Sequence, residues 1–286
     1  MAKILKGAPV ATAIVENIGK RVEALKAKGC EPTLAIVRVG ARSDDLAYER
    51  GATKRAEKCG IRVRVFELDE ACAQSELEDT LDQIMADDTI HGCLLFRPLP
   101  RRFNEVAALA HIKPEKDVDS ATQASLFGVF ASRKVGFPPC TAEAALELLK
   151  HYGYTLEGAN VTVIGRSLVM GRPVSMMLME QNATPTILHT RSRNIEAHTK
   201  GADIVVVAAG HAKTLVKDLV RPGQVVIDVG INFDEEDGHM VGDVDFDEVE
   251  PIVDAITPVP GGLGAVTSAI LMRHVVEAAE RMKTHE

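Results

Sequence analysis

The stretch Val161-Thr-Val-Ile-Gly165-Arg-Ser-Leu-Val-Met-Gly171-Arg-Pro173 decides how this chain reads. Its β-branched start predicts a short buried strand that stops at glycine. Pro173 suits the first turn of a following helix, where its missing N–H is not needed. Gly165 permits a tight turn, and Gly171 is expected to let backbone approach a ligand. The N–H groups at the start of that helix would form an anion site. The spacing departs from G-x-G-x-x-G, so an ordinary strand–turn–helix connection stays open beside a dinucleotide loop.

Working outward, residues 160–165, 184–190, 202–210, 224–232 and 254–257 read as five strands, with short helices between the first three. A helix from Thr141, taken as its N-cap, to about Tyr152 precedes them. This is the pattern of a nucleotide-binding, Rossmann-like doubly wound parallel sheet. Such folds often hold the ribose of NAD with an acid about 20 residues after the glycine turn. Here the second strand ends His189-Thr190-Arg191-Ser192-Arg193, with no acid. Thr190 can donate a hydrogen bond and Arg166 and Arg191 can offer charge-assisted ones, which favours NADP over NAD. A solvated loop is the alternative for Arg191 and Arg193.

The N-terminal half alternates in the same way. Ile14, Ile18, Val22 and Leu25 recur at helical spacing, Thr33–Gly40 reads as a buried strand, and a polar helix runs from about Asp44 to Cys59. Arg62–Leu68 alternates with period two, Leu77, Leu81 and Ile84 mark a helix, and His91–Phe96 reads as a strand. Residues 112–141 lack clear periodicity and are expected to connect two lobes. The expected class is therefore α/β with two lobes. Residues 1–138, completed by a C-terminal helix over 265–286, form the first, and residues 139–264 the second.

The 286 residues suit two domains at about 100–200 residues each. Hydrophobic residues make up 46% and the formal charge is −8, which argues against disorder and against gripping nucleic acid or an anionic membrane by net charge. There is no apolar run of about 18 residues, and no secretory signal is expected from the first residues. Five scattered cysteines form no Cys-x-x-Cys, and nine histidines form no His-x3-His, so reduced thiols in a cytoplasmic protein without a metal centre are expected. The run Asp234–Asp237 reads as a solvated hairpin tip.

Several motifs now converge. They are Tyr48 twelve residues before Gly60, Pro98-Leu-Pro100, Pro114-Glu-Lys-Asp-Val-Asp119 and Pro139-Cys-Thr141 in the first part of the chain. Gly165-Arg-Ser167, Val226–Asn232, Val241–Phe246 and Thr257-Pro-Val-Pro-Gly-Gly-Leu-Gly264 continue the series. Together they resemble the methylenetetrahydrofolate dehydrogenase/methenyltetrahydrofolate cyclohydrolase family over almost the whole chain. The resemblance implies two α/β lobes with folate in the cleft between them, NADP on the second lobe, and a homodimer. It implies catalytic and folate-binding roles for Tyr48 and Asp119, a folate-lining role for Pro258, Gly261 and Gly262, and a cofactor role for Gly165, Arg166, Ser167, Thr190 and Ile231. Arg191 joins the cofactor set from its place after the second strand.

The chain also departs from that family. Where the family carries a lysine four residues after the tyrosine, this sequence has Ala52, and Lys54 and Lys58 point about 200° and 600° round the helix from it. A supporting glutamine is Phe96, followed by Arg97; a serine three residues before the tyrosine is Asp45; the glycine after the Lys-Asp-Val-Asp run is Ser120. Hydride transfer asks the protein to align donor and acceptor carbons. Hydrolysis of the methenyl product needs a positioned acid/base group. The expectation is a dehydrogenase with cyclohydrolase activity weak or absent. Three other readings stand beside it: an ordinary bifunctional enzyme in which Lys54 or Asp45 takes over, a non-catalytic folate- or NADP-binding subunit, and an NADP dehydrogenase of another substrate.

Overall fold

A computed structural model describes residues 1–234 and 238–284, so residues 235–237 of the acidic run and the last two residues of the chain lie outside the described part. The chain divides into two compact units, one of residues 13–140 and 268–286, the other of residues 1–12 and 141–267.

The unit of residues 13–140 is built on three parallel strands, β2 (Thr33–Val39), β3 (Arg62–Leu68) and β4 (Gly92–Leu95), in the order β3-β2-β4. The central strand is buried along its whole length, which is why its sequence is a near-continuous apolar run rather than an alternating one. The edge strand β3 alternates between exposed and half-buried positions. Arg38 is the polar exception in β2, held by Glu49 at 2.8 Å and Glu67 at 2.7 Å. Helices α2 (Ser43–Lys58) and α3 (Gln74–Ala86) connect the strands, and the short α4 (Glu105–Ala110) follows β4. Val37, Leu77, Leu81, Ile84, Leu95 and Phe103 pack into one core.

The expected irregular connection contains a helix, α5 (Gln123–Phe130), started by the Thr122 hydroxyl, which accepts from the N–H of Ser125 at 3.2 Å. Its eight residues are too short to impose a clear period on the sequence.

The other unit carries a six-stranded parallel sheet in the order β1-β11-β8-β7-β5-β6. The strands are β1 (Lys3–Ile4), β5 (Asn160–Ile164), β6 (Thr184–Leu188), β7 (Ile204–Val207), β8 (Val225–Asp228) and β11 (Ala255–Ile256). The chain moves from β5 out to β6, then returns to the opposite side of β5 at β7. In a doubly wound sheet that reversal opens a crevice at the carboxyl ends of the strands. Helices α7 (Gly171–Glu180) and α8 (Ile195–Gly201) make the crossovers, and a hairpin of β9 (Asn232–Asp234) and β10 (His239–Val241) precedes the short α9 (Phe246–Val249). Val205, Val207, Val226, Val253 and Ile256 centre its core.

Several boundaries differ from the sequence reading. Residues 1–12, assigned there to the first lobe, cluster with the six-stranded sheet because β1 pairs with β11 (Lys3 with Ala255, Ile4 with Ile256). Helix α6 spans Cys140–His151, so Thr141 lies inside it and is not its N-cap. The strand expected over 224–232 stops at Asp228. Helices α1 (Gly7–Ala27) and α10 (Leu263–Thr284) each have residues in both units. The 268–284 part of α10 belongs with residues 13–140, where Glu280 binds Arg21. All five cysteines are buried, and among the described residues no helix is long and apolar enough to cross a membrane.

Candidate active site

In the unit of residues 13–140 the site grows from the run Lys116-Asp-Val-Asp119, whose four residues each have a different task. Lys116 is buried and its Nζ donates to the carbonyls of Ile84, Met85 and Asp87, satisfying orphan acceptors at the end of α3. Asp117, also buried, accepts from the N–H groups of Ala121 and Thr122 and from the hydroxyls of Thr122 and Ser125, at 2.6 to 2.9 Å. Val118 offers its carbonyl to Nδ1–H of His274 at 2.8 Å and to the Cys140 thiol at 3.3 Å. Its side chain leans on Gly92, where an added Cβ would come within 2.7 Å of Val118 Cγ1. Asp119 Oδ1 accepts the N–H of Cys140 at 3.1 Å, so its carboxylate occupies the N-terminus of α6. Ser120 follows in the left-handed region at φ 56°, and its buried Oγ has no hydrogen-bond partner among the described residues.

Tyr48 stands on α2 and packs edge-on against Phe96, with ring centroids 5.5 Å apart and an interplanar angle of 61°. It keeps 45% of its surface exposed. Desolvation by the protein around it, and then the negative charge of Asp119, push its phenol well above the ordinary value. Burial pushes the Asp119 carboxyl up as well, opposed by the Cys140 N–H. Tyr48 is thus a standing hydrogen-bond donor and a poor base. The structure brings Tyr48 and Asp119 into one electrostatic neighbourhood, with Cys140 as a further member.

One turn along the same helix face, Ala52 is 4% exposed, and Phe96 is 6% exposed. Lys54 and Lys58 are exposed on other faces of α2. Asp45 is bound by Arg42 through two contacts, at 2.7 and 3.0 Å. Arg97 lies 3.7 Å from Glu105, and its charge reaches Asp119. Beside Tyr48, residue 52 thus carries a methyl group and residue 96 a phenyl ring, neither of which titrates.

In the other unit the turn after β5 carries the exposed Arg166 and Ser167, and the turn after β6 the exposed Thr190 and Arg191. The two turns are neighbours: β5 pairs β6 in register, and the N–H of Gly165 donates to the Leu188 carbonyl at 2.9 Å. Gly165 has φ 128°, and a Cβ there would fall 2.2 Å from the carbonyl oxygen of Ala208, so only glycine fits. Gly171 is required as well: its Cβ would meet the Gly165 carbonyl at 2.2 Å. It packs the helix start onto the turn. Ser167 Oγ accepts the N–H of Met170, fixing the loop between them. Ile231 is 65% exposed beyond β8.

The Pro258–Gly262 segment is fixed at both ends. Gly261 has φ 106°, its carbonyl accepts the N–H of Gly7 at 2.9 Å, and a Cβ on Gly262 would meet the Pro258 carbonyl at 2.5 Å. Pro258 is half-buried and Gly261 exposed, whereas Gly262 is buried and serves the turn.

Sequence reasoning missed Cys140 and His274 as supports of Asp119. It also missed Asp228 and Asp243, two buried acids at the ends of β8 and after β10. Pro139-Cys-Thr141 and Val241–Phe246 carried the signal as motifs without revealing a task.

Comparison with known proteins matches residues 5–119 to the tetrahydrofolate dehydrogenase/cyclohydrolase catalytic domain and residues 139–283 to the NAD(P)-binding domain of the same family. The bifunctional protein FolD of Carboxydothermus hydrogenoformans is 52% identical over 281 residues, covering 98% of each chain. The bifunctional FolD dehydrogenase/cyclohydrolase of Campylobacter jejuni superposes with a TM-score of 0.95 at 36% identity, covering 98% of this chain and 99% of that one. The Trypanosoma brucei dehydrogenase–cyclohydrolase, solved with NADP cofactor and inhibitor, gives a TM-score of 0.91 at 34% identity and 98% coverage of both. The chain belongs to the tetrahydrofolate dehydrogenase/cyclohydrolase family.

Proposed function

We propose that this member of the family oxidises 5,10-methylenetetrahydrofolate to 5,10-methenyltetrahydrofolate by hydride transfer to NADP+, and hydrolyses the methenyl product weakly or not at all. The observation that carries the proposal is the pairing of Tyr48 and Asp119 beside a buried methyl at residue 52. Asp119, held at the start of α6, is placed to accept from a pterin ring, and Tyr48 to stack on the folate and donate from its hydroxyl. Hydride transfer asks these groups only to bind and orient. When bound, the nicotinamide supplies the hydride acceptor. Adding water to the methenyl carbon requires protons to move to and from nitrogen and oxygen. Ala52 and Phe96 have none to exchange, and a phenol with a raised pKa is not a base.

The residues after β5 and β6 suit a 2′-phosphorylated dinucleotide. Gly165 lets the turn pass close to the end of β7, and Arg166, Thr190 and Arg191 are exposed donors with no acid among residues 189–193. NADP+ is expected to bind at least about tenfold more tightly than NAD+, one charge-assisted hydrogen bond being worth about 1.5 kcal/mol or more. We further propose a homodimer, for which the exposed Phe233 and Met240, paired across the β9–β10 hairpin, offer an apolar face; light scattering tests it.

The test of the reaction is to mix enzyme, methylenetetrahydrofolate and NADP+ and follow NADPH and methenyl product together. Equal accumulation, apart from slow spontaneous loss, supports the proposal. NADPH without methenyl build-up supports the second reading, a bifunctional enzyme, which the names of the relatives favour. Ligand binding without NADPH would make the chain a non-catalytic subunit.

A further inference from the structure

Two fully or nearly buried carboxylates in the dinucleotide unit have no part in the chemistry above. Asp243 Oδ2 accepts the N–H groups of Ala209 at 2.6 Å and Gly210 at 2.8 Å, in the turn that follows β7. Its Oδ1 accepts from the Asn232 side-chain amide at 2.9 Å, and that amide also donates to the Gly242 carbonyl at 3.1 Å. Asp228 Oδ1 accepts the N–H groups of Gly230 at 2.9 Å and Asp243 at 3.0 Å, and Oδ2 that of Val244 at 3.0 Å. The N–H of Asp228 donates to Thr257 Oγ1 at 2.7 Å. Four stretches of chain meet here: residues 208–210, residues 228–232, residues 242–244 and the start of the Thr257–Gly262 segment.

The glycines show how tightly they meet. A Cβ on Gly230 would fall 2.2 Å from Asp243 Cγ, and one on Gly242 1.9 Å from Asp228 Oδ2. Burying two acids side by side is expensive unless each oxygen is answered by donors. Here five backbone N–H groups and one side-chain amide answer them. An apolar pair of similar volume would pack these loops at less electrostatic cost. What a carboxylate adds is direction, because it fixes where several N–H groups point. The tied stretches carry Ile231, assigned above to the cofactor, and Pro258 and Gly261, assigned to folate.

We propose that Asp243, seated on Asp228, is a positioning residue for hydride transfer: through the turn at 208–210, the turn around Ile231 and the Thr257–Gly262 segment it sets the cofactor-side and folate-side loops of this unit in one geometry. The proposal rests on the hydride-transfer reading above. It places Asp243 behind the loops rather than in contact with either ligand.

Asp243→Asn keeps the shape, removes the charge and turns an NH2 toward groups that are themselves donors. The measurements are NADP+ affinity by calorimetry, kcat, KM, and the primary deuterium isotope effect with deuterated methylenetetrahydrofolate. The expected result is a kcat at least tenfold lower, a larger isotope effect on kcat, and NADP+ affinity changed less than threefold, since Arg166, Thr190 and Arg191 lie on other turns. Asn232→Asp added to Asp243→Asn restores a donor opposite an acceptor and should recover part of kcat. A lower Tm with kcat and isotope effect unchanged per folded molecule makes Asp243 structural only and overturns the proposal. If Asp243→Asn does not fold, Thr257→Val decides, because it removes only the ties between the Thr257 hydroxyl and the Asp228 backbone: a raised isotope effect supports the proposal and wild-type values overturn it. Absence of NADPH from the wild-type enzyme sinks the hydride-transfer reading, and the positioning role with it. Wild-type turnover matched by Asp243→Asn sinks the positioning role alone.

Discussion

The α2 face around Tyr48 and the Lys116–Asp119 run lie in the same unit and treat polarity in opposite ways. Along the run every polar side chain is engaged: Lys116 closes α3, Asp117 gathers four donors and Asp119 receives the start of α6. Along the face of α2 that carries Tyr48 the polarity stops at its hydroxyl. Ala52 and Ala56 present methyl groups and Phe96 a ring. The lesson is that binding and orienting a heterocycle, and moving protons on it, are separable demands on one site. On the function proposed here, this chain keeps the scaffold for the first and lacks the side chains for the second.

Four experiments break or sharpen that contrast. The largest effect is expected at Asp117. Asp117→Ala strands buried donors in the turn that carries Asp119, costs about 3 kcal/mol, and lowers Tm by about 10 °C; a Tm within a degree of wild type would mean the run is not the scaffold described. Next, Asp119→Ala removes a carboxylate from the start of α6 and, on the proposed function, from the substrate. A loss of about 2 kcal/mol, or about 30-fold in kcat/KM for methylenetetrahydrofolate, is expected with NADP+ affinity unchanged.

The third addresses the α2 face. Ala52→Lys alone puts an ammonium at a buried position without the neighbour that would receive it, so hydrolysis stays at the buffer rate and stability falls by about 1 to 2 kcal/mol. Ala52→Lys with Phe96→Gln should raise methenyl hydrolysis at least about tenfold over the single variant. If the single variant hydrolyses as fast as the double, Phe96 is irrelevant to the contrast.

The smallest effect is in pH dependence and compares the units. In the dinucleotide unit, burial first and the charge of Asp243 against it push Asp228 up to about 6, overriding the N–H groups that oppose the shift. The folded state then holds a proton that the unfolded state releases at the ordinary carboxylate value. Its contribution to stability is greatest below about pH 4, declines up to about pH 6 and is flat above. Asp87, in the other unit, is held down at about 2, chiefly by the Thr89 hydroxyl and Arg64. Its contribution is present above about pH 4 and lost as pH falls toward 2. Denaturant midpoints of Asp228→Asn and Asp87→Asn against wild type, from pH 3 to 8, should differ in opposite windows.

Much of the fold could be read because long-range order left local marks. Val161–Ile164 and the strands near residues 205 and 226 are buried parallel strands, and they appear as nearly continuous apolar runs. The rest depended on partners far along the chain. Two residues of β1 carry no period, so only their pairing with Ala255 and Ile256 reveals where residues 1–12 belong. Helix α5 is eight residues with apolar side chains on several faces, two of them, Phe127 and Phe130, exposed. Resemblance named Tyr48 and Asp119, which the structure brings into one neighbourhood, and it made Ala52 and Phe96 conspicuous. The supports of the site were not legible. The bond from the Cys140 N–H to Asp119 spans 21 residues, and that from His274 to the Val118 carbonyl spans 156. A backbone donor has no letter in a sequence.

The central claim is that hydride transfer survives without proton transfer in this site. The most direct test supplies methenyltetrahydrofolate itself to the wild-type enzyme and follows its hydrolysis against buffer, with the NADP+-dependent oxidation rate measured on the same preparation. The account predicts hydrolysis close to the buffer rate beside robust oxidation. Hydrolysis far above buffer by the unmodified chain would contradict it, and would show that a group other than a side chain at residue 52 moves the protons.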